Sequence, residues 1–241
     1  MIWMYLGIVF AILGFAGVLV CAKLAKSNPS IQPLAIACAV VMLIGIGTYG
    51  YVYWNMSEFE AAEAAAKQAV FDKAVLTKIG GELKGKKIHW ITNNDANDEN
   101  FKARVEVLKA ATGAEVVVIS TAMTPDGNPA PVDLKKELKN IAETDVILVD
   151  TEESGDAIKG AKKQKFAFTA NGTGSLRGMK EKELQDAFKK GQILFVVLNK
   201  PVTDETKDYE PDEDNLEEAF NTRYELLKEY NKEKLGDLLM M

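Results

Sequence analysis

Residues 1–54 read MIWMYLGIVFAILGFAGVLVCAKLAKSNPSIQPLAIACAVVMLIGIGTYGYVYW, and this stretch decides how the chain begins to fold. It contains two runs without Asp, Glu, Lys, Arg or His, at 1–22 and 33–54. Each run has about the 20 residues that an α-helix needs to cross a bilayer. The sequence therefore predicts a transmembrane hairpin over 1–54, with spans at about 2–22 and 33–54. The first run lacks the basic region of a signal peptide, and a second run follows at once.

The charges beside the two runs predict the orientation of the hairpin. Lys23 and Lys26 lie in the short connection, whereas Glu58, Glu60 and Glu63 follow the second run. Because basic connections remain in the cytoplasm, the connection is expected there. The N-terminus and the rest of the chain are then expected on the periplasmic or extracellular side.

Small residues recur on both predicted spans, where they let helix backbones approach closely. They predict packing of the two helices on each other, with further packing on other membrane subunits as an open alternative. The residues are Gly7, Ala11, Gly14 and Gly17 in the first span and Ala35, Ala39, Gly45 and Gly47 in the second.

The charge and cysteine distribution excludes several classes of protein. The chain has a net charge of -6, and all 35 acidic residues follow Trp54. This excess argues against nucleic acid as a partner, because phosphate binding needs a concentrated basic face. Both cysteines, Cys21 and Cys38, lie in the apolar runs, so neither a disulfide framework nor a zinc site is predicted beyond them. The one histidine, His89, is expected to be structural.

Beyond the hairpin, short apolar runs alternate with helical patterns. This alternation predicts an α/β domain over 82–241, three-layered and Rossmann-like, with a mainly parallel five-stranded sheet. The predicted strands are 88–91, 116–119, 146–149, 166–168 and 193–198. An alanine-rich helix is predicted as a stalk over 55–81, and a last helix over about 215–235.

In such sheets, ligands bind at the carboxyl ends of the strands. The loops there supply the candidate ligand-binding residues Asn93, Asp95, Asp150, Thr169, Asn171, Gly172, Gly174 and Lys200. The amides of 171–176 are a candidate anion cradle, with an ordinary turn as the alternative, because turns favour the same residue types. The sequence carries no recognised catalytic, metal or cofactor motif, so no catalytic residues, metal or cofactor are predicted.

Two resemblances bear on this domain. Residues 87–200 resemble one lobe of a type I periplasmic binding protein, through GAEVVV at 113–118 and TDVILV at 144–149. That family binds its ligand between two lobes, and this chain has room for one. Asp150, Thr169 and Lys200 are also similar to the acceptor aspartate, threonine and lysine of receiver domains. Because Asn93 and Asn94 replace the expected acidic pair, we interpret the second resemblance as a coincidence of fold.

The combination of features favours a non-catalytic, membrane-anchored accessory or scaffold subunit of a larger membrane or envelope complex. Its expected partners are the membrane and other protein subunits. The alternative hypothesis is a ligand-binding or sensory module related to a periplasmic binding-protein lobe.

Overall fold

A computed structural model of the protein describes residues 2–122, 132–161 and 163–239. The chain forms two compact units, residues 1–66 and residues 67–241. The predicted fold class is confirmed at this level: two long apolar helices precede an α/β domain with a mostly parallel sheet.

The N-terminal unit begins with a helical hairpin. Helices α1 (Ile2–Ala25) and α2 (Gln32–Trp54) are joined by a short 3-10 turn (Pro29–Ile31). Both helices are long and apolar enough to cross a membrane. Helix α1 ends where the backbone amides of Ser27 and Asn28 both donate to the carbonyl of Leu24. A proline lies in the first turn of α2, where its missing N–H leaves no helical hydrogen bond unmade.

One face of each helix is buried in the hairpin. The buried residues of α1 are Gly7, Gly14 and Cys21, which recur every seven residues, and those of α2 are Gly45 and Val52. A seven-residue repeat places side chains along one face of a helix. The large apolar side chains lie on the other faces and remain exposed.

The second unit is built on a six-stranded sheet, one strand more than predicted. The strands are β1 (Ile88–Thr92), β2 (Val116–Ser120), β3 (Val146–Asp150), β4 (Lys165–Phe168), β5 (Ile193–Asn199) and β6 (Tyr224–Leu227). All five predicted apolar runs form strands. The order in the sheet is β2-β1-β3-β4-β5-β6, and every neighbouring pair is parallel except the antiparallel pair β5–β6.

Helices cover both faces of the sheet and bury one apolar core on each. The helices are α3 (Met56–Glu82), α4 (Glu99–Thr112), α5 (Leu134–Asn140), α6 (Gly155–Gly160), α7 (Glu181–Lys189), α8 (Leu216–Arg223) and α9 (Lys232–Leu239). One core contains buried residues of α3, α4 and α8, and the other contains buried residues of α5, α6, α7 and α9.

The single helix predicted over 215–235 is wrong, because α8, β6 and the start of α9 occupy that stretch. The backbone becomes extended at Tyr224, with φ -132° and ψ 160°, while its N–H still caps α8 by donating to the Phe220 carbonyl. The next residues pair with β5, from Tyr224 opposite Asn199 to Leu227 opposite Val196. Sheet pairing thus outweighs the local helical spacing, as tertiary context commonly does.

Helix α3 contains the segment predicted as a stalk, and its second half is part of the domain core. Phe71, Leu76 and Ile79 are all buried there. Three lysines on the same helix form ion pairs with acidic residues just before α8 and in its first turn: Lys67 with Glu210, Lys73 with Glu213 and Lys78 with Glu217. Two carboxylates of the acidic segment 204–214, those of Glu210 and Glu213, are therefore held against α3. Because these pairs are exposed, each contributes about 1 kcal/mol at most.

Candidate functional site

The most unusual polar group of the domain is the carboxylate of Asp150, which ends β3 and is only 2% exposed. One of its oxygens, Oδ1, is held from the neighbouring strand end. Thr169 Oγ1 donates to it at 2.5 Å, and Asn171 Nδ2 donates at 3.4 Å. These donors converge because β3 and β4 are parallel neighbours whose carboxyl ends lie at one edge of the sheet.

Gly172 allows the turn that follows β4 to pack closely against the end of β3. The 3-10 turn Asn171–Leu176 lies against the end of β3, and a Cβ added to Gly172 would sit 2.0 Å from the Val149 carbonyl oxygen. The Gly172 N–H donates to Thr169 Oγ1 at 3.2 Å. Gly172 therefore serves close backbone packing that supports Thr169.

The second oxygen of Asp150, Oδ2, makes no hydrogen bond within the described part of the chain. It faces the Arg104 guanidinium, whose Nη2 is 3.6 Å away, and Arg104 Nε lies 3.5 Å from Asp72 Oδ2. The guanidinium also packs over the Trp90 ring, 5.6 Å from its centroid. One cation from α4 is thus shared between a buried carboxylate of the sheet and a carboxylate of α3.

Burial raises the pKa of Asp150 above its ordinary value. The Thr169 hydrogen bond and then the charge of Arg104 oppose this increase without cancelling it. Burial also raises the pKa of Tyr224, against a hydrogen bond from Gln68. A desolvated carboxylate beside a shared arginine is an arrangement that occurs both in functional sites and in structural ion-pair networks.

The volume of the cavity beside Asp150 helps to distinguish a functional site from a structural ion-pair network. Asp150 and Arg104 face a cavity of about 60 Å³, which is also lined by Asp72 from α3, Asn199 from β5 and Tyr224 from β6. A cavity of this size has room for water molecules. Sites for organic ligands generally enclose about 300–1,000 Å³. The arrangement suits a structural network and is too small for an organic substrate.

The structure brings together three of the predicted ligand-binding side chains, Asp150, Thr169 and Asn171, with Gly172 packed beneath them. Asn93 and Asp95 lie in an exposed loop after β1, where Asp95 Oδ1 accepts the Asn97 backbone N–H at 2.9 Å. This is a solvated turn of the kind that aspartate favours.

Gly174 and Lys200 also lie apart from Asp150. A Cβ on Gly174 would sit 2.4 Å from the Glu152 carboxyl carbon, so this glycine makes room for that side chain. Lys200 Nζ donates to the Asn221 carbonyl at 2.5 Å. The aspartate, threonine and lysine that are similar to receiver-domain residues are therefore not assembled into one site.

The residues that sequence reasoning missed come from helices and from β6. Arg104, Asp72 and Tyr224 follow no strand end that the sequence identified. One signal was present in α4, because Arg104 lies on the same helical face as the buried residues Phe101 and Leu108. A charged residue on an otherwise apolar face indicates a buried polar partner.

The predicted membrane-packing residues separate into two sets. Cβ atoms added to Gly7, Gly14, Gly17 or Gly45 would come within 3 Å of the opposite helix, and the clash at Gly45 is with the backbone of Ala11. Ala35 and Ala39 are half-buried. Gly47 is exposed, and a Cβ there would meet no atom within 4 Å. Packing within the hairpin accounts for the glycines of the first set.

Two further observations bear on classification. Within the described residues, no group of three or more His, Cys, Asp and Glu side chains is placed to hold a metal ion. No known protein-family model matches the chain, and no characterised protein is significantly similar to it in sequence.

Proposed function

We propose that this protein is a non-catalytic, membrane-anchored accessory or scaffold subunit of a larger membrane or envelope complex. Helices α1 and α2 span the bilayer, the connection between them is cytoplasmic, and the α/β domain lies outside and binds other protein subunits. The observation that carries the proposal is the arrangement of side chains in the hairpin, with small residues inside and large apolar residues outside.

The outer faces of the hairpin support the membrane assignment. Ile12, Leu13 and Phe15 are each more than half exposed, and similar side chains surround both helices. Leaving such a side chain in water instead of an apolar medium costs about 1.5–3 kcal/mol. Lipid removes this cost, whereas a water-soluble protein would bear it at many positions.

The size of the space at the strand ends favours binding of protein subunits by the α/β domain over binding of an organic ligand. The cavity of about 60 Å³ beside Asp150 is the space at the strand ends where an α/β domain usually takes its ligand. The alternative, a sensory module related to one lobe of a periplasmic binding protein, requires that this space widen several-fold to admit an organic ligand.

Isolation of the assembly tests the proposal. We expect the full-length tagged protein, extracted from its native membrane in mild detergent, to retain one or more proteins at fixed stoichiometry by quantitative mass spectrometry. An unrelated tagged protein with two membrane spans serves as the control and should not retain them. Recovery of this chain as a lone, monodisperse monomer would contradict the proposal.

The orientation is tested by labelling single added cysteines with a membrane-impermeant maleimide. Asn28 lies in the connection and Glu205 lies in the domain, and both are exposed. We expect Glu205→Cys to react in intact cells and Asn28→Cys to react only after permeabilisation. The unmodified protein is the blank, since its two cysteines lie within the proposed spans. The reverse labelling pattern would show the opposite orientation.

A further inference from the structure

Among the described residues, no strand pairs with the outer edge of β6, the last strand of the sheet, and the direction of its backbone groups follows from its pairing with β5. It pairs with β5 on one side and ends the strand order. The Lys200 N–H donates to the Arg223 carbonyl at 2.8 Å, so this pair is a hydrogen-bonded one. Because hydrogen-bonded and non-hydrogen-bonded pairs alternate, Glu225 and Leu227 direct their backbone groups to β5. Tyr224 and Leu226 direct theirs away from the sheet.

These outward groups form a short template for another strand. The Tyr224 N–H is occupied, because it donates to the Phe220 carbonyl at the end of α8. The Tyr224 carbonyl and both backbone groups of Leu226 point to the open edge. An extended segment placed there can form two hydrogen bonds with Leu226 and one with Tyr224, which is the geometry of strand addition.

A groove of about 560 Å³ lies beside this edge, and its charge is opposite to that of the protein as a whole. The ionisable side chains that line it, apart from Tyr224, are four lysines and two glutamates, a balance of +2 in a chain of net charge -6. They are Lys78, Glu82, Lys200, Glu225, Lys228 and Lys234. We call this feature the edge groove.

The lysines of the edge groove are not all neutralised by carboxylates. Three of the four are ion-paired: Lys78 with Glu217 at 3.5 Å, Lys228 with Glu82 at 2.6 Å, and Lys234 with Glu225. Lys200 instead donates to a backbone carbonyl, that of Asn221, and forms no ion pair with a described residue. An anionic group beside Lys200 therefore adds an attraction that the chain itself does not supply.

We propose that the edge groove binds an extended, acidic segment of a partner subunit, which adds to β6 as a seventh strand. This inference rests on the proposed function, because it names the surface and the partner chemistry that a scaffold subunit uses. Main-chain hydrogen bonds to Leu226 and Tyr224 supply the docking geometry, and the lysines select acidic over basic segments.

The charge also argues against a second copy of the chain as the occupant. Antiparallel pairing of two β6 strands brings together two edge grooves, each with a balance of +2 among its lining side chains. Interfaces that bring groups of like net charge together are disfavoured. An acidic segment meets the same surface with the opposite sign of charge.

Amide hydrogen exchange of the full-length protein in lipid nanodiscs tests the proposal. The probe is a blocked eight-residue peptide of alternating Glu and Val, and the control peptide alternates Lys and Val. We expect the acidic peptide at saturation to slow exchange of the Leu226 amide by on the order of tenfold, because that N–H becomes hydrogen-bonded. The basic peptide should have no effect.

Three variants make the test specific. Leu226→Pro removes an outward N–H, a change that edge strands accept, and should abolish peptide binding. Combined Lys200→Glu and Lys234→Glu should weaken binding by about tenfold or more, since two attractions become repulsions. Combined Lys136→Glu and Lys139→Glu, the same two charge changes on exposed residues of α5, should alter the affinity by less than about twofold.

The outcomes separate this inference from the proposed function. Binding of neither peptide, equal binding of both, or slowed exchange elsewhere than β6 would overturn it. Concentration-dependent protection of Leu226 without peptide would also overturn it, by showing that a second copy occupies the edge. If native partners stay bound to Leu226→Pro, the edge groove is wrong and the subunit proposal stands. If the acidic peptide binds but no partner is isolated, the subunit proposal fails and the edge groove stands.

Discussion

Replacing Gly14 by leucine is expected to force the two helices of the hairpin apart, whereas the same replacement at Gly47 is expected to leave them packed. A Cβ on Gly14 would lie 2.4 Å from the Met42 backbone nitrogen, and a Cβ on Gly45 would lie 2.4 Å from that of Ala11. Backbone atoms cannot rotate aside as a side chain can, so the helices must separate. Overpacking of this kind costs about 1–3 kcal/mol, and more where relaxation is blocked.

The two native cysteines report this separation directly. Cys21 is buried and Cys38 half-buried, so a thiol-reactive fluorescent dye reaches them as the hairpin opens. For Gly14→Leu and Gly45→Leu in detergent, we expect the apparent Tm of dye reaction to fall by about 10 °C. Gly47→Leu is the matched control and should shift it by less than about 2 °C. Equal shifts in all three variants would contradict the packing.

The sequence identified these glycines but could not separate the packed ones from the exposed one. Gly45 and Gly47 are two residues apart, and a helix turns by about 100° per residue, so they face nearly opposite directions. The sequence shows that both residues are small. Only the packing of the partner helix determines which of them must be small. The buried positions of α1, seven residues apart, show the face that packs.

The strands were predictable because a parallel sheet covered on both faces requires continuous apolar runs. The four-residue strand β6 was not, because Phe220, Tyr224 and Leu227 are spaced as on one face of a helix. Its conformation depends on pairing with β5, residues 196–199, which is remote information for that stretch. The same dependence explains the miscounted sheet and the helix wrongly predicted over 215–235.

The candidate site was predictable only where the sheet builds it. Asp150 and Thr169 end adjacent parallel strands, so their proximity follows from topology. Arg104 and Asp72 reach the same point from two helices, and no local pattern relates positions on separate helices. A prediction confined to strand ends therefore recovered the anion and its hydrogen-bond donor but missed the cation that faces it.

Replacing Arg104 by methionine is expected to destabilise the α/β domain by about 3 kcal/mol at neutral pH, the lower end of the cost of removing one partner from a buried ion pair. The Asp150 side chain is only 1% exposed, so its carboxylate counts as buried. The Arg104 side chain is 26% exposed, and this partial exposure places the expected cost at the lower end. Methionine retains an unbranched apolar chain beside Trp90, so loss of the charge is the main effect. The variant leaves the buried Asp150 carboxylate without its nearest cation.

The loss should depend on pH in a defined direction. Since burial already raises the pKa of Asp150 in the folded protein, stability from its protonated form is fully present below the ordinary value of 3.8 and is lost as the pH rises through the raised pKa. Removing Arg104 takes away a charge that favours ionisation, which raises this pKa further. The destabilisation by Arg104→Met should therefore shrink as the pH falls from neutrality towards about 4.

Urea unfolding of the full-length protein in detergent, followed by the change in tryptophan fluorescence as the fully buried Trp90 becomes exposed, measures this difference. The double variant Arg104→Met, Asp150→Asn should recover most of the lost stability at neutral pH, because it removes the buried charge as well as its partner. Arg177→Met is the matched control, since Arg177 pairs with Glu152 at 3.3 Å at an exposed site, and it should cost less than about 1 kcal/mol. A pH-independent loss, or no recovery in the double variant, would show that Arg104 acts through packing and not by balancing the charge of Asp150.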